Sequence, residues 1–551
     1  MQERIIILGA GVMQGPAIRI ARELGFFTVV LDGSPSAPCA TAADRFEQID
    51  LKNMKGVETF ARSLREEPEG LGGIMTAGTD FSATVAWVAE RLGLPGMPYE
   101  TALNASDKGR MRSLFREAGL PSPRFATLSA GDELDGFSLP APFPLVVKPV
   151  DNMGGRGCRR VNNREEFREA AADALRFSRS GRAIVEGFME GPEFSVDAIV
   201  HRGEIIICGL ADRHVFFPPF FIEMGHTMPS CATEDQQNAV LETFRAGVRA
   251  LGLVDGENVG AAKGDIKLTP DGPMIGEIAA RLSGGYMSGW TYPYSSGEEP
   301  IRTAILLAMG RDPGSPAPSR NWTSAERAFI SIPGTVAAVI GADVARETPH
   351  VRDLFLRVAE GDKVGFPENN VSKCGNVISA APDRADAVRA AGDAARAVLI
   401  RLDPGDPETG DFLRGWENRA VPGSPDFPPS FPTGFPPDAF PLGPELRALL
   451  DALPETQVPG SDPEDFLLVP FPEFTGAGIR DHAGRDPAES LAAVRRLSGL
   501  SLPEIREENS PKSGETADNK HSRLGRSFWA ALVRGSYQGA TYYIEKLRGA
   551  I

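Results

Sequence analysis

Residues 259–281 leave the chain few ways to fold. Thr269-Pro270-Asp271-Gly272 joins a residue that fixes φ, one that bonds its own backbone and one that accepts positive φ, which together mark a tight turn. Alternating stretches flank it, Gly260-Ala-Ala-Lys-Gly-Asp265-Ile-Lys-Leu before and Pro273-Met-Ile-Gly-Glu277-Ile-Ala-Ala-Arg281 after. The spacing predicts two antiparallel strands whose pairing brings Asp265 and Glu277 together, and alternation places Glu277, Ala279 and Arg281 on one face. A buried carboxylate pair repels itself unless a cation sits beside it, so the bland alternative, a surface ion pair on a hairpin, requires solvent exposure. Two hard oxygen ligands suit magnesium, which takes few protein oxygens and completes its shell with water and phosphate. An arginine further along that face can neutralise a transferred phosphoryl group or a substrate carboxylate.

Phosphate chemistry has an earlier signature as well. In Phe143-Pro-Leu-Val-Val-Lys148-Pro-Val-Asp-Asn-Met-Gly154-Gly155-Arg156-Gly157 a strand delivers a lysine and a short loop ends in a glycine cluster. Backbone N–H groups of such a loop can fold over β- and γ-phosphates while Lys148 supplies a point charge. Lys108 offers a second cation from an expected helix over Ser106–Ala118. Met111, Leu114, Phe115 and Ala118 give that helix its apolar stripe, and Gly119 gives it a stop. Further on, Ala183-Ile-Val-Glu186-Gly-Phe188-Met-Glu190-Gly-Pro-Glu193-Phe-Ser-Val-Asp197 reads as strand, hinge, strand. A hinge backbone flanked by Phe188 and Met189 can offer adenine one donor, one acceptor and apolar faces. Glu193 is then a candidate for the ribose hydroxyls, and Glu186 for holding the hinge or accepting from the adenine amine. Taken singly, these carboxylates read better as solvated hairpin residues.

The first hundred residues alternate apolar runs with helical ones. Arg4–Leu8, Thr28–Leu31 and Gly73–Thr76 are expected as buried strands, and Pro16–Leu24 and Ala83–Leu92 as helices. This is a βαβ pattern, which implies a parallel sheet. Gly9-Ala-Gly11-Val-Met-Gln-Gly15 follows the first strand, with Asp32 at the end of the next. Glycines there let an anion approach a helix N-terminus, so an NAD-dependent oxidoreductase is one reading. The GxGxxxG spacing serves equally to close a Rossmann-like layer with no dinucleotide, and that reading is preferred for the glycines and for Asp32.

At 551 residues the chain exceeds a single core, and three or four domains are expected. Hydrophobic content of 42% and charged content of 24% are those of a soluble globular protein. The net charge of -16 and pI near 5.1 argue against a general nucleic-acid binder, which needs a basic face. Cys39, Cys158, Cys208, Cys231 and Cys374 are scattered and odd in number, a pattern of reduced thiols rather than of a disulfide frame or zinc site. No run approaches the roughly 18 apolar residues of a membrane span. Ile5-Ile6-Ile7-Leu8 leads into a glycine turn rather than a cleavage site. A cytoplasmic protein is expected.

In the order Lys108, Lys148 with its glycine loop, Glu186 to Glu193, then Asp265, Glu277 and Arg281, the motifs resemble those of the ATP-grasp superfamily. The nearest branch is the one that holds biotin carboxylase, carbamoyl-phosphate synthetase and the L-amino-acid ligases. The resemblance covers roughly residues 1–400 and implies an α/β and α+β multidomain chain. Its parts would be a Rossmann-like domain over 1–104, an ATP-grasp domain over 105–318 and a small α+β closing domain over 319–402, with 403–551 as a proline-rich linker and C-terminal extension. By this resemblance Lys108 and Lys148 hold the α- and β-phosphates of ATP, and the loop of Gly154, Gly155 and Gly157 closes over the phosphates. Glu186 and the backbone near Phe188 bind adenine, and Glu193 the ribose. Asp265 and Glu277 carry magnesium, as one or two ions. Arg281 steadies an acyl phosphate, and Ser283, Gly284 and Gly285 shape the carboxylate pocket.

The implied activity is an ADP-forming ligation of a small carboxylate, such as an amino acid, to an amine, in a chain whose relatives are often homodimers. Phe221-Ile-Glu223-Met-Gly-His226-Thr-Met-Pro229 is similar to the E-x-G-H-x-x-P stretch of the L-amino-acid ligases, where the glutamate and histidine line the substrate pocket. A lone histidine is also commonly a satisfied core residue. Arg213 is a further candidate cation there. One position departs from the pattern: the family usually carries asparagine two residues after the second metal carboxylate, and here Ala279 offers no oxygen. Ala279 keeps open the reading of an ATP-binding protein with impaired catalysis, and a bicarbonate-activating enzyme of the same superfamily is a separate alternative.

Towards the C-terminus, Phe329–Ile332 and Asn376–Ile378 are expected as strands and Ala385–Ile400 as a closing helix. Pro422 to Pro444, dense in Pro, Phe and Gly, reads as an extended linker, and Glu508–Asn519 as disordered. The final segment, 521–547, carries Phe528, Trp529, Leu532 and Tyr543 and is expected to pack back on the body.

Overall fold

The computed structural model describes residues 2–414 apart from 218 and 315–317, and, near the C-terminus, the helical residues 531, 535, 537–543, 545 and 546. The expected linker Pro422–Pro444, the expected disorder of Glu508–Asn519, and Phe528, Trp529 and Leu532 lie outside the described residues. The chain forms two compact units. The first comprises 1–215, 225–326 and 378–388; the second comprises 216–224, 327–377 and the described residues from 389 on. No helix among the described residues is long and apolar enough to cross a membrane.

The first unit opens with β1 (Arg4–Leu8), β2 (Phe27–Asp32), β3 (Arg45–Gln48) and β4 (Gly73–Thr76) in a parallel sheet of order β3-β2-β1-β4. Near-continuous apolar strands are what a sheet covered on both faces requires. Ile5 and Ile7 pack towards Ala17 and Ala21 of the helix Gly15–Glu23, while Ile6 and Leu8 pack towards Val57, Leu64 and Val88 on the other side. The glycine turn is filled by the chain itself. Gln14, 4% exposed, accepts from the Gly11 N–H at 3.0 Å and donates to the Ala77 carbonyl. Asp32 accepts from the N–H groups of Ala10 and Ser34, each at 2.8 Å. Both side chains serve the turn, in line with the preferred reading of this motif.

Next come β5 (Phe125–Ser129), β6 (Leu145–Pro149), β7 (Arg159–Val161) and β8 (Arg182–Gly187), antiparallel in the order β5-β8-β6-β7. The helix Arg164–Phe177 covers one face, burying Phe167, Ala170 and Ala174 against Leu145, Val147 and Val185.

The sheet that carries the expected hairpin contains β9 (Glu193–His201), β10 (Glu204–Phe216), β11 (Ile222–Met228), β12 (Val259–Thr269) and β13 (Gly272–Ala279), side by side as β13-β12-β9-β10-β11. Its two faces differ sharply. Phe194, Val196, Ala198, Ala262, Ile266, Ile275 and Ile278 form a core with Val240, Phe244 and Val248 of the helix Glu234–Ala250. The ring of Phe244 lies so close to β12 that a Cβ on Gly264 would fall 2.4 Å from it. Period-two alternation turns Glu193, Ser195 and Asp197 of β9, and Lys263, Asp265 and Lys267 of β12, to the other face.

The second unit takes in the ends 327–329 of β14 (Thr323–Phe329) and 375–377 of β18 (Gly375–Ala381), with the whole of β15 (Gly334–Ile340), β16 (Val351–Leu356), β17 (Lys363–Val364) and β19 (Leu399–Leu402), and β17-β15-β19 forms a separate antiparallel sheet. Two expectations are corrected here. The strand expected over Phe329–Ile332 ends at Phe329: Pro333 has no N–H for a ladder, and the Ile332 N–H goes to Gln538 Oε1 at 3.0 Å. The helix expected over Ala385–Ile400 runs Arg384–Ala397, and Leu399–Leu402 is strand, with Ile400 opposite Val339. The β-branched Val398 and Ile400 favour that switch.

The described C-terminal residues pack onto this unit, as expected. Ala531 and Tyr542 share a core with Ile332, Phe412 and Leu413. Gln538 Nε2 donates to Ser331 Oγ at 2.6 Å and to the Ile400 carbonyl at 2.8 Å, and Tyr542 Oη donates to the Asp406 carbonyl at 2.8 Å.

Candidate active site

The turn sets Thr269 against Gly272, and an unbroken ladder from there would pair Asp265 with Gly276 and turn Glu277 to the apolar face. One extra residue prevents this. Ile266 faces Ile275 and Asp265 faces Glu277, which leaves Gly276 as a bulge between them and puts the two carboxylates directly opposite each other on the polar face. The Gly276 carbonyl, out of the ladder, accepts from Arg112 Nη2 at 2.6 Å. Strand β13 ends at Ala279 and the chain bends at 280–281, so Arg281 lies beyond the alternating strand expected to carry it. Its Nη1 donates to the Leu282 carbonyl at 3.1 Å.

Cations close around the pair. Lys108, at the first position of the helix Lys108–Glu117, sits 3.1 Å from Glu277 Oε1 and donates to the Asn152 carbonyl at 3.0 Å. Lys263 is ion-paired with Asp265 Oδ2, Arg213 lies 3.5 Å from the same oxygen, and Ser195 Oγ donates to Oδ1 at 2.9 Å. Arg213 also pairs with Glu193, and Lys267 lies 3.7 Å from that carboxylate.

Lys148 is held by Glu186 Oε2 at 2.8 Å, and Glu186 Oε1 accepts from Arg112 Nε at 2.7 Å. Glu186, 2% exposed, thus has both oxygens engaged and orients Lys148, where the sequence left it open to an adenine amine. At the expected adenine edge, the Phe188 ring is flanked by Arg160 at 4.5 Å and Lys267 at 5.4 Å, and Lys267 donates to the Met189 carbonyl at 3.2 Å.

Burial alone would push these carboxylates up, yet their neighbours hold them below the ordinary range: Lys108, Lys263 and Lys148 for Glu277, Arg112 and Lys148 for Glu186, Arg213 and Lys263 for Asp265. Burial opposes the charge on Lys108, but Glu277 and Asp80 raise its pKa. Glu277, Glu186, Asp265 and Lys108 are therefore ionised at neutral pH. Cys158 is pushed by burial to about 11, which keeps it a thiol at neutral pH.

The residues fit a magnesium nucleotide. Gly154, Gly155 and Gly157, in the loop between β6 and β7, have φ of 70°, 75° and 67°, left-handed values that glycine adopts without strain and that leave the loop backbone open to close approach by a phosphate. Hard carboxylate oxygens stand opposite each other beside that loop in the fold. Arg281 Nε is buried with no hydrogen-bond partner among the described residues, as a group awaiting an anion would be.

Ser283 gives its N–H to Asp197 Oδ1 at 3.0 Å and its hydroxyl to Oδ2. Asp197 is fully buried and is pushed up by that burial to about 6, against the opposing pull of Ser283 and Lys263. Gly284 lies against Gly78, close enough that a Cβ would meet the Gly78 carbonyl at 3.0 Å, and Gly285 has φ of 60°. His226, 2% exposed, bonds through Nδ1 to the buried Glu326 at 2.8 Å. Glu223 belongs to the second unit, where its N–H bonds Asn370 and its carbonyl accepts from Lys373, each at 2.7 Å.

Arg112, Lys263, Lys267, Ser195 and Asp197 were not picked out from the sequence. Lys263 carried a readable signal, since it stands two residues before Asp265 on the same strand face. Arg112 carried only its place four residues after Lys108 on one helix.

Comparison with known proteins places these elements. The ATP-grasp domain model matches residues 141–288, and the model of the L-amino acid ligase C-terminal domain 2 matches 328–403. An uncharacterized protein of Sinorhizobium fredii, y4rH, is 24% identical over 376 residues, 67% of this chain and 77% of that one. Carnosine synthase 1 of Gallus gallus is 26% identical over 338 residues, 57% of this chain but only 36% of the synthase, so the match spans about a third of that protein's length. Among solved structures, an L-amino acid ligase from Bacillus licheniformis superposes with a TM-score of 0.63 at 21% identity, over 73% of this chain and 99% of that one.

Proposed function

The chain carries an ATP-grasp domain and a second C-terminal domain of the L-amino acid ligase type, and on that footing we propose that it is an ADP-forming ligase that joins a small carboxylate, such as an amino acid, to an amine. The observation that carries the reading is the bulged hairpin that sets Asp265 and Glu277 face to face beside Lys108.

In this reading Asp265 and Glu277 would hold magnesium, which when bound supplies positive charge to the phosphate oxygens. Lys148, kept in place by Glu186, and Lys108, kept by Glu277 and the Asn152 carbonyl, present their ammonium groups to the nucleotide phosphates. The loop of Gly154, Gly155 and Gly157 offers N–H donors from above. The hinge at Phe188 receives the adenine, and Glu193, braced by Arg213 and Lys267, takes the ribose hydroxyls. The substrate carboxylate attacks the γ-phosphorus to give an acyl phosphate and ADP, and Arg281, with Ser283 to Gly285, steadies the charge that develops there. An amine then displaces phosphate to form the amide, and exclusion of water protects the intermediate. Glu223 and His226 remain candidates for selecting the substrates. The substrates are small molecules, nucleic acid is not among the partners, and the setting is the cytoplasm, with the homodimer of related ligases as its assembly.

A phosphate-release screen with ATP, magnesium and paired amino acids or small acids tests this. Turnover is expected with at least one carboxylate–amine pair, and Glu277→Ala should lower it on the order of a hundredfold or more. Turnover unchanged by Glu277→Ala would remove the metal assignment, and phosphate release driven by bicarbonate with no amine would redirect the reading to a carboxylase.

A further inference from the structure

Resting on the ligase reading, we infer that the ammonium of Lys263 takes the place of one divalent ion, so that the nucleotide-loaded chain holds a single magnesium at the Asp265–Glu277 pair, with Glu277 as its more open carboxylate.

Lys263 stands two residues before Asp265 on β12 and on the same face. Its partners across the sheet are Ala279 on β13 and Asp197 on β9. Ala279 has no oxygen to offer, and Lys263 reaches along its own strand to pair with Asp265 Oδ2. The other Asp265 oxygen already accepts from Ser195, and Arg213 stands 3.5 Å from Oδ2. Lys263 and Asp265 have side chains only 13% and 9% exposed, so water competes little for this pair. Glu277, by contrast, is 35% exposed, and the ion pair with Lys108 engages its Oε1. The reachable oxygen of the carboxylate pair is therefore on Glu277.

Two divalent ions about 4 Å apart are tolerated only where several anionic oxygens bridge and screen them. Here Asp265 already has a fixed cation on one oxygen and a hydroxyl on the other, and the position facing that cation is a methyl group. What is left can complete the shell of one ion together with phosphate and water. Lys263 meanwhile brings a permanent charge with three donors, enough to hold Asp265 and also to meet a phosphate oxygen.

The test counts ions rather than turnover. The full-length chain is saturated with a non-hydrolysable ATP analogue and titrated with Mn2+, and bound Mn2+ is counted by electron paramagnetic resonance. One Mn2+ per nucleotide is expected, with the sharp lines of an isolated ion. The double variant Lys263→Met with Ala279→Asn should bind a second Mn2+ and show the broadening of a coupled pair. Two Mn2+ ions in the native chain would overturn the inference and leave the ligase reading standing, and so would a folded double variant that still binds one. Should the analogue fail to bind at all, the ligase reading falls and takes this inference with it. If the double variant does not fold, the native count alone decides.

Discussion

Arg112 joins three parts of the first unit through one guanidinium. It sits on the helix Lys108–Glu117, grips Glu186 at the end of β8, and satisfies the carbonyl that the bulge at Gly276 releases from its ladder. The residue is 1% exposed, so nothing in solvent can stand in for it. Arg112→Met would leave Glu186 buried with Lys148 as its remaining cation, and removing one partner of a buried pair costs about 3–5 kcal/mol. The expected result is an unfolding free energy lower by that amount, read from the shift of the urea midpoint, together with weaker nucleotide binding as Lys148 shifts towards the unpaired oxygen. Arg112→Lys should recover only part of either, because a point charge cannot serve a carboxylate and a carbonyl in two directions at once. Equilibrium unfolding and nucleotide titration of the two variants check this; a methionine variant as stable as the native chain would dissolve the linkage.

Among the elements, the hairpin β12–β13 is held from both sides, by charge on one face and by the helix Glu234–Ala250 on the other. Gly264 is one place where that helix comes close, since a Cβ there would meet the Phe244 ring. Gly264→Val is expected to cost about 1–3 kcal/mol as the ring is pushed from its place, read as a drop in melting temperature. Losing more activity than stability would indicate that the displaced strand also carries Asp265 off its register. Much of this element could be read from the residues alone: the turn at Thr269–Gly272, the alternation, and the identity of both carboxylates. What could not be read was the register. A bulge is one residue of slack, and nothing in Ile275-Gly276-Glu277 announces that the ladder slips there; the need appears only once Ile275 and Ile278 must both find the apolar side. The bend that removes Arg281 from the strand, and the hold of Arg112 on Glu186, 74 residues away, depend in the same way on contacts between distant segments. The strand expected over Phe329–Ile332 failed for a similar reason, because the partner of the Ile332 N–H comes from residue 538.

Over the whole molecule, the second unit is built from segments far apart in the chain. Gln538 joins the 331–332 corner to β19 with three hydrogen bonds, and Gln538→Ala would leave the Ile332 N–H and the Ile400 carbonyl to find new partners inside a buried region. A loss of about 1–3 kcal/mol is expected. Urea unfolding followed by circular dichroism measures it, and a midpoint unchanged by the substitution would show that the C-terminal helix is a passenger. The packing of Ala531 and Tyr542 against Ile332, Phe412 and Leu413 also has a temporal consequence. A polypeptide leaves the ribosome from its N-terminus at about 5–20 residues per second, so Leu413 emerges on the order of ten seconds before the residues that cover it. During that interval the apolar surface of the second unit is open to chaperones and to neighbouring nascent chains, whereas the sheets of β1 to β13 already have every strand in hand. Synthesis rate and chaperone supply should therefore govern the yield of intact protein through the described helical residues from 531 to 546 more than through the first three hundred residues.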